Sequence, residues 1–462
     1  MNKTLARSQT AAVGSRRGIQ RLLAQSAGQL LLWAGICLAA LLPPALAQTA
    51  GAGPSRRLSL TEAIDLALRN NRQIQLAQAD ADRAAAEHEE ARSSFRPRVL
   101  FGSGLAYSAG FPLSIEGSAP SIFQINASAA LFDRNLRNLE RQAGQMRQAA
   151  GSSLVETQDQ VVAETVLTYL DLDRSRRSME YLRNEAQNLQ ALEQITAERV
   201  AAGLELPMEA TRAQLSAARA RSRLAAVENQ VSLLEFRLRD LTGIPQSEGI
   251  LTEGAEVPGL PAGDTLESMT ARALENNPSL RAAEEQVRAL EFRLQSEEGT
   301  RWPRIHLVGQ YGLFSKHNNY EEFFQRFQRH NATLGVSIVL PIYQRESYNA
   351  RISKAQADLA AARYRREEMR AAIARQVREL WGAIQQQAAG REVSRLELDL
   401  ARKSLDVALA EFDEGRVNRL AVEQARAEEN RAWVNLLSAD YEAERARLEL
   451  LRLTGQIRAA FP

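Results

Sequence analysis

The chain has one cysteine, Cys37, and four histidines among 462 residues. Beyond residue 47 there is no thiol, which excludes a disulfide framework, a thiolate metal site and a thiol nucleophile from that part of the chain. No apolar run reaches 18 residues, so membrane-spanning helices are not expected. The stretches 134–200 and 345–413 hold no proline and so lack the strongest helix breaker. Also missing are a phosphate-cradling glycine loop, a nucleophile elbow and a His-Glu-x-x-His pair. No catalytic residue, metal or cofactor is expected.

The first 29 residues carry Lys3, Arg7, Arg16, Arg17 and Arg21 and no acid. The 13 apolar residues Leu30–Leu42 follow, and then Ala45-Leu46-Ala47. A basic start, a short apolar stretch and a small-x-small end predict a secretory signal over 1–47. Thirteen residues are too few to span a hydrocarbon core of roughly 30 Å. Ser15-Arg16-Arg17 leaves a twin-arginine route open. Cys37 follows Ile36, a poor context for lipid attachment, so no lipid anchor is expected. Removing the leader takes away five cations and no anion, which turns a net charge of +2 into −3. That balance, with both signs mixed along the chain, argues against a nucleic-acid partner.

What is abundant is helix-forming sequence, and it comes twice. Residues 60–74, LTEAIDLALRNNRQI, match 266–280, LESMTARALENNPSL. The same offset relates Arg96-Pro97-Arg98-Val99 to Trp302-Pro303-Arg304-Ile305. Later, Gly203 pairs with Gly415 and Leu241-Thr242-Gly243 with Leu453-Thr454-Gly455. A unit of about 200 residues that recurs once is a duplication rather than a short-period solenoid. The expected divisions are a first repeat over 48–243, a linker over 244–263 and a second repeat over 264–462. Each repeat opens with a helix, to about Phe95 and about Arg301, that stops before Pro97 or Pro303. The proline-free stretches predict helices about 100 Å long at 1.5 Å per residue, followed by return helices over about 207–241 and 420–453.

Between the helices the period changes from helical to two. Val99, Phe101, Ser103 and Leu105 alternate with Leu100, Gly102 and Gly104, and Phe123, Ile125, Ala127 and Ala129 with Gln124, Asn126 and Ser128. Ile305, Leu307, Gly309 and Tyr311, and Ala332, Leu334, Val336 and Ile338, repeat the pattern. Four strands of about ten residues are predicted, over about 97–109, 121–133, 303–314 and 331–342. Strands of this length, apolar on one face, match outer-membrane strands. Four cannot close a barrel, and an open edge in lipid leaves backbone groups unpaired at several kcal/mol each. Pooling strands from several copies resolves this, and three copies supply twelve.

The signal, the duplicated order of helix, hairpin, long helix and return helix, and the Ala-Leu-x-Asn-Asn element of each opening helix (Ala67 to Asn71 and Ala273 to Asn277) resemble the TolC family of outer-membrane efflux proteins. Leu131-Phe132-Asp133 and Leu340-Pro341-Ile342-Tyr343 resemble the family's strand-exit element without its double glycine. The resemblance covers nearly all of 48–462. It implies a mainly α fold with a small β part: a homotrimer whose twelve-stranded outer-membrane β-barrel continues into a periplasmic α-helical tunnel. It also implies an exit duct for an inner-membrane pump, joined by a periplasmic adaptor. Gly203, Leu204, Gly415 and Val417, in the turns between long and return helices, are the implied adaptor contacts. Each glycine also reads as a plain helix C-cap.

Family members often place acidic rings just past the second tip. Here Ala421 and Gln424 occupy those positions, and Glu209 and Glu423 are the nearby acids, equally readable as a solvated face. Asp413, Glu414, Arg416 and Arg419 are candidates for ion pairs that latch the tip between neighbours. Phe101, Tyr107, Trp302, Tyr311 and Phe314 lie at or near strand ends, suited either to aromatic girdles in outer-membrane lipid or to packing at the barrel–tunnel junction. His317 and His330 with Glu321 and Glu322 match no ligand spacing, and His88 and His306 stand alone. The expected role is passive efflux of small molecules. Alternatives are a type I secretion duct for polypeptides and a periplasmic coiled-coil adaptor or scaffold, which would need one hairpin and no lipid-length strands.

Overall fold

The structure is a computed structural model that describes residues 56–104, 121–254, 257–259, 264–314, 330–342 and 345–461. The predicted signal, nearly all of both hairpin loops and Tyr107 lie outside the described residues, as do 255–256 and 260–263 of the linker. In chain order the elements are β1 (Arg56–Leu58), α1 (Leu60–Asn70), α2 (Arg72–Ser93), β2 (Arg98–Gly104), β3 (Ser121–Phe132), α3 (Arg134–Ala201), α4 (Pro207–Thr242), β4 (Ile250–Thr252), α5 (Leu266–Asn276), α6 (Pro278–Gly299), β5 (Arg304–Phe314), β6 (His330–Val339), α7 (Arg345–Asp413), α8 (Arg419–Leu453) and α9 (Ile457–Ala460).

The two long helices, α3 and α7, run for 68 and 69 residues. Toward the sheet α3 is flanked by α2 and α6, and α6 by α7; toward the tips α3 packs on α4 and α8, and α8 on α7. One helical layer therefore continues into two paired hairpins. Toward the tip, close approach of α3 and α4 is possible because α4 sets the small Ala217 and Ala220 against Ala186, Leu189 and Leu192. At the other end Asn135 donates to the Ser296 carbonyl at 3.0 Å, fixing α3 to α6 beside the sheet.

Each opening helix, expected to run unbroken, is interrupted at an asparagine, the second of them just before Pro278. Asn71 and Asn277 are extended, with ψ of 128° and 121°. Each ends one helix and caps the next, its Oδ1 accepting from Gln73 N at 2.8 Å or Leu280 N at 3.0 Å. The side-chain amide of each also reaches the end of the return helix of its own repeat, at the Leu241 and Leu453 carbonyls. The Asn-Asn and Leu-Thr-Gly motifs thus interlock, and Gly243 and Gly455 adopt φ of 73° and 67° there.

Around this corner lies the main core, with Leu58, Tyr169, Leu172, Leu238, Ile250, Leu448 and Ile457 buried. The short strand β4 falls inside the expected linker and pairs in parallel with β1. Tyr169 clamps both: its hydroxyl lies 2.7 Å from the Leu58 carbonyl and accepts from Glu253 N–H at 2.8 Å. Burial pushes the Tyr169 phenol above its ordinary value.

Candidate channel wall and tip

The sheet has the order β2-β3-β5-β6, antiparallel throughout. Its register sorts the side chains by face. Val99, Phe101, Phe123, Ile125, Ala127, Leu307, Tyr311, Leu334, Val336 and Ile338 share one face. Gln124, Asn126, Ser128, Gln310, Thr333, Gly335 and Ser337 share the other, interrupted by Leu100 and Val308. The apolar face is bare: Leu334 is 80% and Phe101 76% exposed. Large apolar residues left open in this way mark a surface meant for lipid or protein. The backbone edges of β2 and β6 have no strand partner within the sheet.

An aromatic row crosses that face. Phe101 stacks on Phe123 with centroids 6.1 Å apart, Phe123 sits 5.9 Å from Tyr311, and the Tyr311 hydroxyl lies 2.8 Å from His330 Nδ1. Of the girdle candidates, Phe101 and Tyr311 are thus brought together. Phe123 and His330 complete the row; their signal was the diagonal spacing of alternate positions on paired strands. Trp302 stands apart at the tunnel end of β5, half exposed beneath the Arg134 guanidinium. Phe314 closes β5 opposite Ser121. His317, Glu321 and Glu322 lie outside the described residues, and His306 lies on the polar face opposite Ala130.

At the far end two turns are built alike. Gly203 has φ 72°, with Leu204 N donating to the Arg199 carbonyl at 2.9 Å; Gly415 has φ 71°, with Arg416 N donating to the Glu411 carbonyl at 2.8 Å. Both are Schellman caps, in which the left-handed glycine lets the next amide satisfy a terminal carbonyl. Leu204 is exposed and Val417 half-buried. The apolar Leu204, Leu206 and Met208 are all more than half exposed, whereas the second turn carries Arg416, Asn418 and Arg419.

A cleft of about 410 Å³ joins the turns, lined by Arg199, Glu205 and Glu209 from one hairpin and Phe412, Arg419 and Leu420 from the other. Glu209 accepts from Arg212 at 2.6 Å, and Arg199 donates to Glu205 at 2.7 Å. Glu423 is buried beside the cleft and paired with Arg426 at 3.2 Å. Arg416 pairs with Glu414 of its own turn at 2.9 Å, both exposed, and Asp413 is exposed next to them.

Paired helical hairpins of this length, running into strands of lipid-spanning length, define an outer-membrane channel subunit. The chain belongs to the outer membrane efflux protein family, whose model matches residues 63–244 and 270–456, and it is a protein of the Gram-negative outer membrane. Protein CyaE of Bordetella pertussis is 25% identical over 307 residues, which span 65% of this chain and 64% of the relative, just under two thirds of its length. Among solved structures, CusC matches with a TM-score of 0.72 at 16% identity, covering 86% of this chain and 91% of that one. VceC of Vibrio cholerae matches with the same score and identity, covering 86% and 96%. CmeC of Campylobacter jejuni, an outer membrane channel, also scores 0.72 at 16% identity, covering 86% of each chain. These likenesses show the fold.

Proposed function

We propose that three copies of this chain close into one passive exit duct, handing small molecules from an inner-membrane pump and a periplasmic adaptor to the cell exterior. The observation that carries this reading is the sheet with an apolar face and two open edges. In lipid each unpaired backbone group costs several kcal/mol, so β6 of one copy must pair with β2 of the next. The helices favour the same closure. Val393, Leu396, Leu400 and Val407 leave an exposed apolar stripe on α7, and Leu215, Leu233 and Phe236 do so on α4, the helices at opposite sides of the paired hairpins. Side-by-side copies bring these stripes together. No step of the transport is catalytic. The turns at Gly203-Leu204 and Gly415–Val417 are the adaptor contacts, with Glu209, Glu423, Asp413, Glu414, Arg416 and Arg419 around the periplasmic constriction. Detergent-extracted protein should run as a heat-resistant trimer and give small, mostly closed conductance in planar bilayers. A water-soluble monomer without affinity for lipid or detergent would refute the reading.

A further inference from the structure

Arg98 opens β2 and Arg304 opens β5, each just after the proline that ends the preceding corner. They are repeat equivalents, at the same offset that relates the opening helices. The register places both on the polar face of the sheet, Arg98 opposite Ser128 and Arg304 opposite Val339. Both are exposed, and neither guanidinium has an ion pair or hydrogen bond among the described residues. No strand residue among those described is an Asp or Glu, so the ionisable groups of this face are Arg98, Arg304 and His306.

The ladder carries Arg98 through Ser128 to Val308, four residues further along β5 than Arg304. Strands about 4.8 Å apart and tilted by about 45° shift by about three residues over two strands. A stagger of this size keeps repeat-equivalent residues at nearly one height on a barrel axis rather than separating them.

We propose that Arg98 and Arg304 form a cationic collar at the tunnel end of the barrel lumen, two guanidinium groups per copy, and that the duct passes or binds anionic solutes there in preference to cations. The proposal rests on the three-copy duct reading. Arginine stays charged at any working pH, and a ring of one sign sets the sign a pore favours. With no carboxylate among the described strand residues, the groups that meet these forks are carboxylates, sulfates or phosphates on the solute, which arginine binds bidentately. Because the collar lies on the face opposite the lipid-facing one, its partner is a solute and not a lipid headgroup.

The test uses the assembled wild-type ring and two variants, Arg98→Gln with Arg304→Gln and Arg98→Lys with Arg304→Lys. Reversal potentials are measured under a KCl gradient in zwitterionic bilayers, so that no anionic headgroup competes. Inorganic tripolyphosphate is titrated into each detergent-solubilised ring by calorimetry, a readout independent of the state of the tip. The wild type should favour chloride and bind tripolyphosphate. The glutamine pair should shift toward potassium and lose roughly tenfold in affinity, and the lysine pair should keep the wild-type sign. A conducting glutamine ring with unchanged reversal potential and unchanged tripolyphosphate binding overturns the collar. If that pair does not assemble, the single Arg304→Gln exchange is read the same way. Failure of the wild type to form any conducting ring overturns the duct reading, and the collar with it.

Discussion

Asn277 donates its side-chain amide to the Leu453 carbonyl at 3.2 Å, across 176 residues, while its own Oδ1 caps the helix that follows. Asn71 and Leu241 repeat the arrangement at 3.4 Å. One side chain thus ends a helix, starts another and holds a third. Asn277→Ala removes a cap and leaves a buried carbonyl unpaired, and should destabilise by about 2–3 kcal/mol. Asn71→Ala should behave alike. Thermal unfolding followed by circular dichroism measures both, and a loss under about 0.5 kcal/mol would show that the corner is held by packing alone.

Four glycines share one left-handed conformation in unlike surroundings. A Cβ on Gly243 would sit 2.7 Å from Asn70 Cβ, and one on Gly455 2.9 Å from the Asn276 carbonyl, while Gly203 and Gly415 face open space. Alanine at the tips should cost about 1 kcal/mol from backbone strain, and alanine at either corner clearly more. Bulky residues at both Gly203 and Gly415 should leave the trimer intact and abolish adaptor cross-linking. Normal cross-linking would remove the docking assignment.

Arg416 is paired within its own exposed turn, a contact worth about 0–1 kcal/mol, whereas Arg419 lines the cleft between the hairpins. Arg416→Ala with Arg419→Ala should loosen the tip and raise single-channel conductance. Unchanged conductance would reject a latch built on these two residues.

Leu334 and Thr333 are neighbours on opposite faces of β6. Leu334→Arg should impair membrane assembly, with about 2–4 kcal/mol at stake if the site lies near mid-bilayer. Thr333→Arg should assemble normally. Equal outcomes, read as heat-resistant trimer recovered from outer membranes, would mean that the two faces have been assigned the wrong environments.

The long helices and alternating strands were legible because each runs many residues at one period. α7 spans the stretch its proline-free sequence indicated, and β5 begins one residue after Pro303. The break at Asn71 was not legible, because asparagine also fits a helix interior and only the tertiary bond to the return helix favours the corner. The break at Asn277 is marked by Pro278, which disfavours helical backbone at the residue before it and which the reading of one continuous helix passed over. Strands β1 and β4 are three residues each, too short to show any period. At the tip, the turn glycines and nearby charges could be placed by sequence. Which charges pair could not, because that depends on rotamers and on the approach of two hairpins far apart in the chain.

The unbroken α3 and α7 act as a ruler. Their 68 and 69 residues convert codon count directly into a distance between lipid and tip, about 1.5 Å at a time. An insertion in one rod alone would throw its tip out of level with the other and slide every contact below it. Any lineage that widened or narrowed the gap this molecule bridges would have had to edit all four hairpin arms together.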